Sequence, residues 1–281
     1  MSLILGNSLD KIKDKIENKS IDLILTDPPY IISRDSGMDQ FHEFVQNKEE
    51  FVKTEKDWLE YKSKNSSNYS DLQEDNFLRY GTIYGDKYAI KTKFGSWDNE
   101  FTLDVLDQYI KLFYEKLVDG GTCIIFFDIW KLSYLKEIME KYKFKQIRFL
   151  EWIKTNPQPR NSKINYLTNC REIALLGIKK SNPTFNSQYD NAIYKYPFPG
   201  GKDRIHPTQK SLPLFIDLVK KHSNENDVVL DPFVGSGTTC VAAKETNRQY
   251  IGIERDEKYY KLAKKRIERL HENKLSKGQR P

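Results

Sequence analysis

The stretch Asp227-Val228-Val229-Leu230-Asp231-Pro232-Phe233-Val234-Gly235-Ser236-Gly237-Thr238-Thr239 decides the fold. An apolar strand runs into a glycine turn, and the turn opens into the helix-compatible Cys240 to Thr246. Glycines at 235 and 237 let a ligand approach the backbone closely, and the exposed amides at the start of a helix favour an anionic group. Beyond that helix, Gln249-Tyr-Ile-Gly-Ile-Glu254 is a second apolar strand closed by an acid. In doubly wound folds an acid roughly 20 residues after the glycines lies on the hydroxyls of a bound ribose, so a nucleoside-containing cofactor is expected. The turn lacks the third glycine of a dinucleotide fingerprint and the Lys-Ser or Lys-Thr pair of a Walker loop, which disfavours NAD and ATP. Short hydroxyl side chains at Ser236, Thr238 and Thr239 suit an amino-acid carboxylate, as in S-adenosylmethionine. Taken alone, the glycine pattern fits a plain tight turn equally well.

A second motif lies far upstream. Asp27-Pro28-Pro29-Tyr30 follows the apolar run Ile21 to Leu25, where a buried strand would end. Two prolines stiffen the chain and remove two backbone donors, which holds the flanking carboxylate and ring at a fixed angle. Asp-Pro-Pro is also an ordinary way out of a strand through a turn. In open α/β sheets, however, ligands gather at the carboxyl ends of adjacent strands, so residues 27 to 30 and 231 to 237 can meet despite their separation.

Together the two motifs resemble the S-adenosylmethionine-dependent DNA amino-methyltransferases, and within them the β class found in restriction-modification systems, where the catalytic motif precedes the cofactor motif. Between them stand Phe94-Gly-Ser-Trp-Asp98, Gly120-Gly-Thr-Cys-Ile-Ile-Phe-Phe-Asp128, Trp152-Ile-Lys-Thr-Asn-Pro-Gln-Pro-Arg160 and His206-Pro-Thr-Gln-Lys210, similar to that family in kind and order. The resemblance implies an α/β, Rossmann-like methyltransferase fold with circularly permuted motif order and S-adenosyl-L-methionine as cofactor. It implies an in-line displacement in which an exocyclic amino group attacks the sulfonium-bound methyl. Asp27 and the Pro28 carbonyl would accept the two N–H groups of that amine, Pro29 would hold the turn, and Tyr30 would stack on a base flipped out of the duplex. Asp231, Phe233, Gly235 to Thr239 and Glu254 would line the cofactor site. Asn7 stands where the family often has an acid for the adenine ring of the cofactor, and a plain helix cap explains it about as well; Ser8 is a weaker candidate. Thr208, Gln209 and Lys210 would hold the methionine end, with Lys210 supplying a cation for its carboxylate. Trp152 is a candidate second wall of the base pocket, and a core position explains it at least as well. An initial Asp favours adenine N6 over cytosine N4 as the target. Methylation of RNA or of a protein amide, and an inactive DNA-binding relative, are disfavoured by the same intact motifs.

The apolar runs Leu3 to Leu5, Ile21 to Leu25, Cys123 to Phe127, Ile147 to Ile153, Ile173 to Ile178, Val228 to Leu230 and Tyr250 to Ile253 predict a mainly parallel, seven-stranded sheet, with the pair around 147 and 173 antiparallel. Apolar spacing predicts helices over Leu9 to Ile16, Leu103 to Leu117, Trp130 to Lys141, Leu212 to His222 and Glu257 to Leu270. With 281 residues, one catalytic domain over 1–281 is expected, carrying insertions. Residues 34–93, with Arg34, form a long insertion expected to be a partly helical lid, a mobile loop or a DNA reader. Residues 160–205, with Arg160, Lys163 and Arg204, are the second candidate for target recognition. A net charge of +6 agrees with double-stranded DNA as partner; the resemblance also admits a homodimer and a cognate restriction endonuclease. The basic segment from Lys258 to Arg280 is expected to be a solvated helix face. Cys123, Cys170 and Cys240 lack metal-ligand spacing, so no metal is expected and the thiols suit a cytoplasmic protein. No apolar stretch reaches membrane-spanning length and the first residues do not resemble a secretory leader.

Overall fold

The computed structural model describes residues 1–29, 53–65, 68–83, 101–157, 170–180, 182–200, 204 and 209–277. The chain forms two compact units, one of Met1–Tyr30 with Thr102–Pro281 and one of Ile31–Phe101.

The larger unit is built on one mixed sheet. Its strands are β1 Ser2–Leu5, β2 Ile21–Thr26, β3 Leu117–Phe127, β4 Phe144–Lys154, β5 Arg171–Lys179, β6 Ile193–Tyr196, β7 Val228–Asp231 and β8 Gln249–Glu254. Spatial order is β1-β8-β7-β2-β3-β5-β4-β6. The first five in that order are parallel neighbours, β5 runs antiparallel to both β3 and β4, and β6 is parallel to β4. The expected seven strands are all present, and β6 makes the sheet eight-stranded. Ile-Tyr-Lys-Tyr has no apolar run because β6 is an edge strand that buries only Tyr194 fully. The predicted antiparallel pair is β4 with β5.

Alternate strand residues feed two faces. Leu23, Leu25, Ile124, Phe126, Leu150 and Trp152 join one buried cluster with helices α6 Leu212–His222, α7 Thr238–Glu245 and α8 Glu257–Lys277. Helix α6 begins with Pro213 in its first turn, where no intrahelical donor is lost, and ends on Lys220 and Lys221, which complement the helix dipole. Its Phe215 ring stacks on Phe126 of β3 at 5.5 Å. The opposite face carries α1 Ser8–Lys15, α4 Leu103–Lys116 and α5 Leu132–Lys141. Thr102 caps α4 by accepting from the Val105 amide, and Leu106, Ile110 and Phe113 form its buried stripe.

The smaller unit contains two helices, α2 Glu55–Lys64 and α3 Asp71–Tyr80. Thr54 and Asp57 form a capping box on α2, and Gly81 ends α3 in the left-handed conformation. Trp58 is buried and packs against the rings of Tyr61, Tyr69 and Phe77 at 5.1 to 5.7 Å. Four aromatic rings give this short insert an apolar centre of its own.

Candidate active site

The parallel strands all deliver their carboxyl ends to one edge of the sheet. Leu5 pairs with Glu254, Asp231 with Gly252, Ile24 with Leu230, and Thr26 with Ile125. Asp27 and Asp231 therefore leave neighbouring strands side by side, although 204 positions separate them in sequence. Asp231 is buried and accepts from Thr26 Oγ1 at 2.7 Å and from the Phe233 amide at 3.1 Å. Burial raises its carboxyl above the ordinary value. Ser8 Oγ donates to the Pro232 carbonyl at 2.6 Å, so the start of α1 pins the same turn.

The glycine turn then folds back on β8. Gly235 (φ 49°) and Gly237 (φ 81°) both take the left-handed conformation that favours glycine. Glu254 Oε2 accepts from the Gly235 amide at 2.7 Å and Oε1 from the Asp256 amide at 2.8 Å. Burial raises the Glu254 carboxyl, and these two amides oppose that rise. The Arg255 amide is a third donor to this carboxylate, which leaves it at least one further lone pair for a ribose hydroxyl. Helix α7 begins at Thr238, directly after the second glycine, so its first-turn N–H groups open towards the turn. A side chain added at Gly237 would bring its Cβ within 3.2 Å of Ala263 Cβ, crowding α8 as well as straining the backbone. These residues fit S-adenosylmethionine.

The three hydroxyls point elsewhere than expected. Ser236, Thr238 and Thr239 are buried. Ser236 Oγ and Thr238 Oγ1 lie 3.1 Å apart, and Arg266 Nη1 of α8 donates to both and to the Ser236 carbonyl at 3.0 to 3.2 Å. Thr239 Oγ1 donates to the Leu25 carbonyl of β2. They stiffen the turn from behind. Arg266 thus departs from the solvated face expected of its helix, and nothing in that basic stretch singled it out.

Asp27 sits at the end of β2, its side chain 19% exposed. Its Oδ2 takes the Lys210 ammonium at 2.8 Å, while Oδ1 is buried and accepts no hydrogen bond among the described residues. The same ammonium lies 2.5 Å from Glu172 Oε2, and Glu172 Oε1 takes Lys154 Nζ at 2.6 Å. Burial is the main cause that raises the Asp27 carboxyl from 3.8 to about 6; Lys210 opposes the rise, and Glu172 and Asp231 add to it. Glu172 is half-buried, and the two lysines outweigh that desolvation and lower its carboxyl. Lys210, expected at the methionine end of the cofactor, has its ammonium on these two carboxylates. Neither Glu172 nor Lys154 was expected at the site; each reads as a charged residue at the end of a strand.

Other expected residues divide by position. Asn7 Oδ1 accepts from the Leu9 amide at 2.9 Å and so caps α1, as the plain helix-cap role requires. Trp152 is fully buried in the core cluster and donates from Nε1 to the Tyr196 carbonyl at 2.9 Å. It has no exposed face for a base, so the core position applies. Phe198, half-buried, stacks on Trp152 at 6.3 Å and is clamped by Asn156, which bonds both its amide and its carbonyl. Gln209 is buried beside Lys210. Tyr30, Arg34, Arg160, Lys163 and Thr208 lie outside the described residues.

Known proteins agree with this geometry. A family model described as DNA methylase, with N6 and N4 in its name, matches residues 21–265. The type II methyltransferase M.HinfI of Haemophilus influenzae is 28% identical over 291 residues, covering 97% of this chain and 69% of its own. M2.DpnII of Streptococcus pneumoniae is 30% identical over 198 residues, covering 63% of this chain and 73% of its own. The crystal structure of the M1.HpyAVI–SAM complex superposes with a TM-score of 0.61 at 25% identity, over 95% of this chain and 98% of that one. The cytosine-N4-specific PvuII DNA methyltransferase gives a TM-score of 0.62 at 15% identity, over 93% of this chain and 84% of that one, and shares the fold. Sheet, glycine turn and the acid that closes β8 define an S-adenosylmethionine-dependent methyltransferase. The chain belongs to the DNA methylase family and acts on DNA.

Among the described residues no helix is long and apolar enough to cross a membrane, and no group of three or more His, Cys, Asp or Glu side chains is placed to hold a metal.

Proposed function

We propose that this protein methylates the N6 amino group of a specific adenine in double-stranded DNA. The observation that carries the reading is Asp27 Oδ1, a buried carboxylate oxygen without a hydrogen bond among the described residues, presented at the ligand edge of the sheet while Lys210 occupies the other oxygen. An exocyclic amine shares its lone pair with the ring, so it must be turned until that pair faces the methyl. Asp27 Oδ1 accepts one N–H and the Pro28 carbonyl the other, which localises the pair on nitrogen. Bound S-adenosylmethionine supplies the electrophilic methyl. As the nitrogen–carbon bond forms, the electron pair of the broken carbon–sulfur bond stays on sulfur and nitrogen must shed one proton. Asp27, already accepting that N–H, is the adjacent base.

The target atom is inaccessible in a stacked duplex, so the adenine leaves the helix, and Tyr30 is the proposed stacking partner. Asp as the first residue of Asp27-Pro-Pro-Tyr30 supports adenine over cytosine. The insertion 34–93 and the segment 160–205 are the proposed readers of sequence, through Arg34, Arg160 and Lys163. A cognate restriction endonuclease is proposed on the names of the type II relatives. Work on DNA with three unpaired thiols fits the cytoplasm.

The test is to incubate the protein with labelled S-adenosylmethionine and separate pools of DNA and RNA, then digest and identify the modified nucleoside. N6-methyladenine in DNA is expected. N4-methylcytosine, or label confined to RNA, would overturn the assignment.

A further inference from the structure

The carboxylate that faces the base is one end of a largely buried chain of four charges: Asp27, Lys210, Glu172 and Lys154. Each link is short, at 2.8, 2.5 and 2.6 Å, and the four side chains are 19%, 7%, 18% and 17% exposed. Two acids and two bases balance, so no net charge is buried. They come from four separate places: the end of β2, the residue pair before α6, the start of β5 and the end of β4. Opposite Trp152 on β4, Glu172 occupies the register position from which it reaches both Lys154 and Lys210. Lys154 Nζ also lies over the rings of Trp152 at 5.3 Å and Phe198 at 5.2 Å, and Lys210 Nζ over Phe126 at 5.3 Å. A long, flexible lysine at position 210 has no geometric reason to favour one Asp27 oxygen unless something fixes its far side.

We propose that Glu172 is a positioning residue: braced by Lys154, it holds the Lys210 ammonium on Asp27 Oδ2, so that Oδ1 is the oxygen presented to the amino group of the base. The inference rests on the role assigned to Asp27. Charged groups face Asp27 from three directions, Lys210 from before α6, Glu172 from β5 and Asp231 from β7. Among them Lys210 alone is a cation. Without it, Glu172 keeps Lys154 but Asp27 loses its cation, and two acids share one remaining ammonium; removing the Glu172 charge as well relieves that repulsion.

The experiment is a double-mutant cycle on the full chain, reading kcat, KM for DNA and the pH profile of kcat with labelled S-adenosylmethionine. Lys210→Met is expected to cut kcat at pH 7.5 by roughly 100-fold and to move its acid limb up by about three pH units, because each decade of kcat lost to protonation at pH 7.5 is one pH unit of the limb above that pH. Adding Glu172→Gln is expected to restore roughly 10-fold and bring the limb back down, with KM for DNA little changed. A double variant no faster than Lys210→Met, with an unmoved limb, would overturn the proposal, since a merely structural Glu172 predicts further loss. Thermal melting and cofactor binding check the fold. Should Lys210→Met not fold, Glu172→Gln alone decides: with Asp27 left as the carboxylate partner of Lys210 among the described residues, the ammonium pulls the acid limb below its wild-type position, and a limb that stays in place refutes the role. A fully active Asp27→Asn removes the reading of Asp27 itself; an inactive one beside an unmoved limb removes only that of Glu172.

Discussion

Replacing Asp27 by Asn is expected to make the protein more stable and nearly inactive at once. The Asp27 carboxyl is raised from 3.8 to about 6, chiefly by burial. At about 1.4 kcal/mol per decade in the proton equilibrium, holding it ionised at pH 7.5 costs the fold roughly 3 kcal/mol. Asn has the same shape and no charge. Lys210 keeps Glu172 at 2.5 Å when Asp27 loses its charge, so the ammonium is not stranded, but it loses one carboxylate. The net gain is therefore about 1–3 kcal/mol, which raises the melting temperature by roughly 2–8 °C. The sign with pH is definite. Between pH 3.8 and about 6 the folded state binds the Asp27 proton more tightly than the unfolded chain, so wild-type stability falls relative to the variant as pH rises through that window. Below it the two proteins converge. Loss of the anionic acceptor should lower kcat by about 10²- to 10³-fold, the usual effect of deleting one transition-state hydrogen bond, while S-adenosylmethionine binding is retained because Asp27 lies outside the glycine turn. Melting curves at pH 4 to 8, paired with a labelled-methyl assay, check both halves. A variant that melts below wild type at pH 7.5 refutes the cost assigned to burial, and one that keeps full activity refutes the orienting role.

Two further expectations follow from buried groups. Arg266→Met removes the donor to Ser236 and Thr238 behind the glycine turn; cofactor affinity should weaken about 10-fold, on the scale of one charged hydrogen bond, and unchanged affinity in a calorimetric titration would rule out that support. His222 is buried, and burial pushes its imidazole from 6.5 down to about 4. Below pH 6.5 the unfolded chain takes a proton that the folded one refuses, so stability falls between pH 6.5 and about 4 by up to roughly 3 kcal/mol. Urea unfolding of wild type and His222→Phe at pH 7 and 5 isolates this loss, since the Asp27 contribution is common to both; equal slopes with pH would contradict it.

The sequence carried the sheet almost complete because its central strands are buried on both faces and read as unbroken apolar runs. Ile21 to Leu25 is such a run, and Ile24 and Leu25 face opposite helical layers. Strand β6 escaped notice because an edge strand of four residues alternates exposed and buried positions too briefly to register. Asp27, Gly235, Gly237 and Glu254 were legible since each sits inside a short motif, and the order of those motifs along the chain resembles the family. Hydroxyl direction is not local: Ser236 and Thr238 turn to Arg266, some 30 residues on, and no pattern in the turn announces that contact. The same holds for Lys210, whose nearest sequence neighbours say nothing of Glu172, 38 positions away.

The reversal of β5 explains why a supporting acid exists at this place. In a parallel sheet every strand brings its last residues to the ligand edge, and those positions are already taken by Asp27, Asp231 and Glu254. An antiparallel strand brings its first residues there instead. Because Phe127 pairs with Ile173, the next step in register sets Glu172 opposite Asp128, at the level where β3 leaves the sheet. Pairing of β4 with β5 sets Trp152 opposite Glu172, and the Lys154 amide donates to the Cys170 carbonyl at 2.7 Å, so Lys154 is held at that same level from the far side. Slipping β5 by one residue would turn Glu172 to the other face and exchange Ile173, Leu175 and Gly177 with Ala174, Leu176 and Ile178 between the two packed layers. The buried pairing that fixes the register of β5 therefore also fixes the carboxylate that steadies Lys210, and the single change of strand direction in the central sheet connects core packing to the geometry at Asp27.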